Sequence, residues 1–485
     1  MPLTSSRCAS LLVQVQRPAY ARDAVRRGIV HLGLGAFHRA HQAVYTEAVL
    51  NRGDLRWGIV GVHLRGRRMA DALRAQDHLY SVTERHAEQA QTRVVGAVQA
   101  ALFAPDEPGT VLSAIADPGV HVITLTVTEK GYSLQPATGD LDLADAELQH
   151  DLGNTSQPRS TLGVLAAGLL RRAASAPVTL VCCDNMAANG PTLQRLLSQY
   201  AERACPALLA RLSGGVVAFP STMVDRIVPA ATAESLAYAE HRLGLRDEAA
   251  IVCEPFTQWV IEDRFAGPRP AWEDAGAVLT GDVRPFQAMK LRLLNGTHSA
   301  IAYAGQLCGL ETVSDAMAHP LVGAFARRLM LDDLRATVVA PSGYDVLAYC
   351  GELLKRFENP SLAHRTQQIA MDGTQKVPVR WLPALRESLA AGAQLPQLER
   401  ALAAWLHCLA SGHSDSGVPL AISDPGAPAL AARLRSAGDA NGAVRAALAH
   451  TSVFGDAAWP ADFISRLAAH LSALRVGGMT ALLSH

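Results

Sequence analysis

The amino-acid sequence predicts an α/β domain built on a parallel sheet, followed by a mostly α-helical domain. Three observations carry this. Short unbroken β-branched and apolar runs alternate with helical stretches in the first half of the chain. Beyond about residue 281 strand candidates become rare and long Ala/Leu-rich stretches take over. The 485 residues also exceed what one ordinary core accommodates, so two domains are expected.

The strand candidates are, in order, GIVHL (28–32), WGIVGV (57–62), GVHVITLTV (119–127), PVTLVCC (177–183) and GGVVAF (214–219). Runs of this kind suit a sheet covered on both faces, where no position meets water. They place the α/β domain at 28–280, after an N-terminal extension of residues 1–27. The breaker-rich patch FAGPRPAWEDAG (265–276) reads as the connection to a helical domain at 281–485. In that domain PQLERALAAWLHCLASG and PALAARLRSA carry helical periodicity, and the abundant alanine favours helix without specifying a function.

Charge narrows the partners. Lys and Arg number 44 against 44 Asp and Glu, so no long-range field steers the chain toward nucleic acid or an acidic membrane. Small molecules or like chains are expected instead. The eight cysteines are scattered without a C-x-x-C pair, which argues for reduced thiols in a cytosolic protein rather than a disulfide frame or zinc site. A short apolar patch at 11–15 is no export signal, and no segment has the apolar length that a bilayer requires.

Gly33-Leu34-Gly35 stands directly after the first strand candidate and before a helical stretch. Two glycines there let a backbone turn tightly and approach a pyrophosphate, whose charge a helix N-terminus stabilises. The third glycine of the dinucleotide fingerprint is His38, so the same letters also fit an ordinary strand-to-helix turn. Ala36 and Phe37 complete the segment. The second strand runs into His63-Leu64-Arg65-Gly66, with no carboxylate for an adenosine ribose. Arg65 there either accepts a 2′-phosphate, leaving NADP open beside NAD, or belongs to a solvated basic turn.

MKLRLLNGTHS (289–299) carries Lys290, Asn295 and His298. On a regular α-helix, at about 100° per residue, the three fall within an arc of roughly 140° and converge on one ligand. Oxidising a secondary alcohol needs a base on its hydroxyl proton. A lysine serves if burial lowers its pKa from about 10.4 by roughly two to three. Asn295 suits an amide donor to the developing alkoxide, and His298 a partner for a neighbouring hydroxyl. Glu129, in TEKGY, and Asn185, in CDN, follow the third and fourth strand candidates, where parallel sheets bind ligands. Asn185 fits a second amide donor or a helix N-cap equally well. Asp225, in FPSTMVDRIVP, either orients a charged group or pairs near Arg226.

At HLGLGAFHRAHQ, LTVTEKGY, CCDNMAANG, FPSTMVDRIVPA, CEPFTQWVIEDRF, MKLRLLNGTHS and RFENPSLAHRTQQIAMDGTQKVP the chain resembles the polyol-specific long-chain, or mannitol dehydrogenase, family. The likeness runs from about residue 28 to beyond 460. It implies a Rossmann-type domain followed by a helical domain, NAD as cofactor and no metal. It further implies Lys290 as general base, Asn185 and Asn295 as the amide pair on the reacting oxygen, His298 as a substrate-positioning residue and Asp225 as a cleft residue supporting the site. Gln287 stands three before Lys290, where a glutamate is expected in many members. Within the family the motifs are most similar to members acting on a sugar acid, which implies interconversion of D-mannonate and D-fructuronate. Mannitol or arabinitol oxidation is the alternative. A substrate carboxylate would call on fixed cations, and Arg365 and Lys376, with His364 beside them, are the candidates. A reading of another class, a catalytically silent nucleotide sensor, has no use for a base at Lys290.

Overall fold

The computed structural model describes residues 1–87, 89–135, 138–186, 188–362 and 364–484. The chain divides into two compact units, Met1–Arg284 and Pro285–His485. Among the described residues no helix is long and apolar enough to cross a membrane.

Among the described residues of the first unit lie twelve strands: β1 (Arg27–Leu32), β2 (Gly58–His63), β3 (Tyr80–His86), β4 (Gln89–Val95), β5 (Val98–Phe103), β6 (Val122–Leu125), β7 (Val178–Cys182), β8 (Val217–Ala218), β9 (Thr222–Asp225), β10 (Ile251–Cys253), β11 (Gln258–Glu262) and β12 (Val278–Thr280). Six form one parallel sheet in the order β5-β2-β1-β6-β7-β8. This is the doubly wound dinucleotide-binding order, in which the direction of winding reverses between β1 and β6. Alternate residues of the sheet enter two cores. Val30, Leu32, Ile123, Leu125 and Leu180 pack on one face with the helices Pro108–Ala116, Thr161–Arg171 and Asn189–Ala204. Ile29, Ile59, Val122 and Val181 pack on the other with Gln42–Asn51 and Arg67–Ala75. Both faces are covered, as the unbroken apolar runs required.

All five expected strands belong to this sheet. The sixth, β5, escapes the pattern because VQAALF is Ala-rich and reads as helix. Two three-stranded sheets, β10-β3-β4 and β12-β11-β9, were also not expected. Their residues alternate polar and apolar or are too short to stand out, as in β3, YSVTERH.

The N-terminal extension, residues 1–27, packs on the first unit: Leu3, Leu11 and Val15 are buried with Leu79, Val94 and Leu243. One expectation about a connection is corrected. The patch 265–276 is not a connector, because Trp272 is 1 % exposed and its indole N–H donates to Thr46 Oγ1 at 3.1 Å inside the first unit. Pro and Gly punctuate that segment, but one large buried ring outweighs them.

In the second unit no strand is found among the described residues. Both Ala/Leu-rich stretches are helical, at Pro396–Ser411 and Ala427–Arg435. The first carries Pro at its start and ends on Gly412 at φ +66, the asymmetry that stops a helix cleanly. It packs against the buried helix Thr297–Leu307.

Candidate active site

The turn after β1 sits at the point where the sheet reverses direction. Gly33 has φ +94, and a Cβ there would meet the Thr126 carbonyl oxygen, just past β6, at 2.2 Å. Its own carbonyl accepts from Thr126 Oγ1 at 2.9 Å and lies 3.0 Å from His31 Nε2. Gly35 is exposed and caps the short helix Ala36–Ala40 without a side chain of its own. A Cβ at Gly35 would have only Gly33 O near it, at 3.7 Å, so the space outside is open to a ligand. Ala36 and Phe37 are half-buried, and Phe37 stacks on His41 with ring centroids 5.0 Å apart. His38, where the fingerprint has its third glycine, stacks on His31 at 3.3 Å. Burial holds His31 down at about 3 and His38 well below the ordinary imidazole range, so the stack is of two neutral rings.

Beside this turn a cavity of about 250 Å³ is lined by Gly33, Gly35, Arg65, Thr126, Thr128 and Glu147, among others. Arg65 stands two residues beyond β2 and pairs with Glu147 at 3.2 Å. Glu129 is exposed next to Thr128 and is not part of the lining.

At the end of β7, Asp184 accepts from Val127 N and Thr128 N, each at 3.0 Å, and from Tyr132 Oη at 2.6 Å. It thereby ties the loop after β6 to the end of β7, and burial pushes its carboxyl up to about 6. Asn185 follows it and is exposed. It is not the cap of the next helix, whose N-cap is Ala188. Asp225, 3 % exposed, ends β9 opposite Gln258. Its neighbour Arg226 donates to Glu84 Oε1 at 2.6 Å.

In the second unit the segment carrying Lys290, Asn295 and His298 departs from the expected α-helix. Lys290–Gly296 is π-helical, joining the helix Arg284–Met289 to Thr297–Leu307. A π turn bonds residues five apart, so Lys290 and Asn295 stand one turn apart along one face. Lys290 is 7 % exposed, Asn295 is half-buried, and Gln287 is half-buried one α turn earlier. His298, 7 % exposed, stacks on Phe357 at 5.1 Å and meets His364 edge-on at 4.9 Å. Its Nε2 has no hydrogen-bond partner among the described residues.

Burial first, then His364 and the cations Arg380, Arg356 and Lys376, hold His298 well below the ordinary imidazole range. His364 is pushed down to about 4 by burial and by Lys376. The second unit thus brings together His298, His364 and Lys376 as expected sites. Arg365 is exposed, in the residue before the helix Thr366–Ala370. Lys376 Nζ donates to Ile369 O at 3.2 Å.

Sequence reasoning missed Arg356 and Arg380. Arg380 Nη1 donates to Ser299 Oγ at 2.8 Å and to Asn295 O at 3.2 Å, bracing the π segment from the helix Gly373–Arg380. A signal was present: Arg380 is four residues after Lys376, hence on the same helical face.

Residues 27–274 match the mannitol dehydrogenase Rossmann domain, and 282–475 the mannitol dehydrogenase C-terminal domain. The chain is 42 % identical over 418 residues to D-mannonate oxidoreductase of Escherichia coli (strain K12), covering 85 % of each. It is 39 % identical over 436 residues to mannitol 2-dehydrogenase of Aspergillus terreus, covering 88 % of this chain and 86 % of that protein. The structure of Pseudomonas fluorescens mannitol 2-dehydrogenase in ternary complex with NAD and D-mannitol matches with a TM-score of 0.89 at 34 % identity, over 100 % of this chain and 99 % of that one.

Proposed function

The chain belongs to the mannitol dehydrogenase family of oxidoreductases, and from that premise we propose that it interconverts D-mannonate and D-fructuronate with NAD(H). The sugar-acid assignment is supported by the likeness to D-mannonate oxidoreductase, and buried His298 stands among Arg356, Lys376 and Arg380, cations of the kind that recognise a carboxylate.

The residues fit a dinucleotide. Gly33 makes a turn in which any side chain would be strained, Gly35 leaves the space outside open, and the cavity continues past β2. Bound NAD supplies the hydride acceptor. In the oxidising direction the substrate hydroxyl gives its proton to the neutral amine of Lys290 as the carbinol carbon gives up its hydride, leaving a carbonyl. The Asn295 amide donates to the oxygen as charge develops on it. Neutral His298 holds an adjacent hydroxyl through Nε2, and Lys376 and Arg380 take the carboxylate. Asn185 is assigned a second amide-donor role, and Asp225 a supporting one, by family resemblance.

The test is oxidation of NADH followed by absorbance with D-fructuronate and then with D-fructose. Turnover of fructuronate alone supports the sugar-acid reading. Preference for fructose leaves a polyol dehydrogenase, the reading favoured by the likeness to mannitol 2-dehydrogenases. Lys290→Ala should lose turnover by about 100-fold or more while still binding NADH. Retained turnover would remove the base assignment, and a wild type that binds NADH but turns over neither sugar would point to a sensor.

A further inference from the structure

The nucleotide cavity holds a charge arrangement that the family motifs do not explain. NAD-selective sheets of this type place a carboxylate at the end of the second strand, and here that stretch is His63-Leu64-Arg65-Gly66. A carboxylate is nevertheless present in the lining, from elsewhere in the chain. Glu147 is the second residue of the helix Ala146–Gly153, whose start is held by Asp145 Oδ1 accepting from Leu148 N at 3.0 Å. It meets Arg65 at 3.2 Å.

Around this pair the cavity favours an anion. Arg159 also lines it, and its guanidinium has no partner among the described residues. The turn that carries Arg159 is pinned by buried Asp151, which accepts from Arg159 N and Ser160 N at 2.8 Å each and from Ser160 Oγ at 2.6 Å. Thr161, another lining residue, opens the helix Thr161–Arg171, whose N-terminus favours negative charge nearby. His63 adds no charge, because burial pushes it down to about 4. Two guanidiniums and a helix start thus stand against one carboxylate.

We infer that Glu147 selects the nucleotide: it occupies Arg65, repels a 2′-phosphate and accepts from a free ribose hydroxyl, so that NADH is preferred over NADPH at a site otherwise built for the phosphate. The inference rests on the dinucleotide reading of the cavity. It deepens that reading by naming which group decides between the two cofactors, a group more than 80 residues from the strand end where such a carboxylate is expected.

The test measures dissociation constants of NADH and NADPH by calorimetric titration without substrate, for wild type, Glu147→Gln and the double variant Glu147→Gln/Arg65→Ala. Both side chains are exposed on the cavity rim, so the thermal melts of all three proteins serve as folding controls. Wild type is expected to favour NADH. Glu147→Gln should shift the NADPH-to-NADH affinity ratio by tenfold or more toward NADPH, and adding Arg65→Ala should reverse most of that gain. A smaller shift, or a wild type that binds NADPH as tightly as NADH, overturns the inference while leaving the dinucleotide reading intact. Binding of neither nucleotide overturns both.

Discussion

Replacing Gly33 by alanine separates the two uses of the glycine turn. At φ +94 a side chain costs roughly 1–2 kcal/mol in backbone strain. The added Cβ, placed 2.2 Å from the Thr126 carbonyl oxygen, must also push β1 and β6 apart, an overpacking cost of about 1–3 kcal/mol. The total of about 2–5 kcal/mol appears in one of two places. If the turn keeps its shape, the first unit melts earlier; if the turn rebuilds, NADH affinity falls by about 30-fold or more. Gly35→Ala is the control, since its φ is −84 and its nearest neighbour would be 3.7 Å away. That variant should melt with wild type and yet bind NADH about tenfold or more weakly, because the methyl stands where the pyrophosphate approaches. Thermal melts and fluorescence titration with NADH, run in parallel on both variants, check this. A Gly33→Ala protein that melts with wild type and binds NADH within about twofold of it would refute the role given to the turn.

Glu47, which accepts from Tyr20 Oη and Gly96 N at 2.8 Å each, is pushed up by burial to about 7 from 4.5. Its charge therefore costs stability fully above about pH 7, on the order of 3 kcal/mol, and the cost is relieved as pH falls toward 4.5. Melting of Glu47→Gln should gain on wild type as pH rises from 5 to 8, and a constant difference would contradict the assignment. For His298 and His364, both lowered, the native state takes up protons only well below 6.5, so stability tied to them is lost as pH falls from about 6.5 toward 4. Accordingly kcat/KM should show no inflection that His364→Gln removes between pH 5.5 and 8. Arg380→Ala frees the π segment at Asn295 and Ser299, which should lower kcat/KM by about 10- to 100-fold, as expected for a lost charged hydrogen bond of about 1.5–3 kcal/mol. NADH affinity measured by titration should stay unchanged, and equal losses in both would assign Arg380 to general stability instead.

Five strands of the parallel sheet (β1, β2, β6, β7 and β8), the two Ala/Leu-rich helices, the glycine turn and the Lys290, Asn295, His298 spacing were all legible in the sequence, because each is a local signal. Period and turn chemistry depend on near neighbours in the chain, and a buried parallel strand announces itself by its own composition. What the sequence did not disclose is long-range. It gave no sign that Trp272 is buried against Thr46, or that Lys290–Gly296 abandons the α register for a π turn. Nor did it pick out Arg356 and Arg380 beside His298, or the carboxylate of Glu147 facing Arg65. These were decided only by tertiary structure, since a charge is weighed by the dielectric and the partners around it, and both are set by residues far away in the chain.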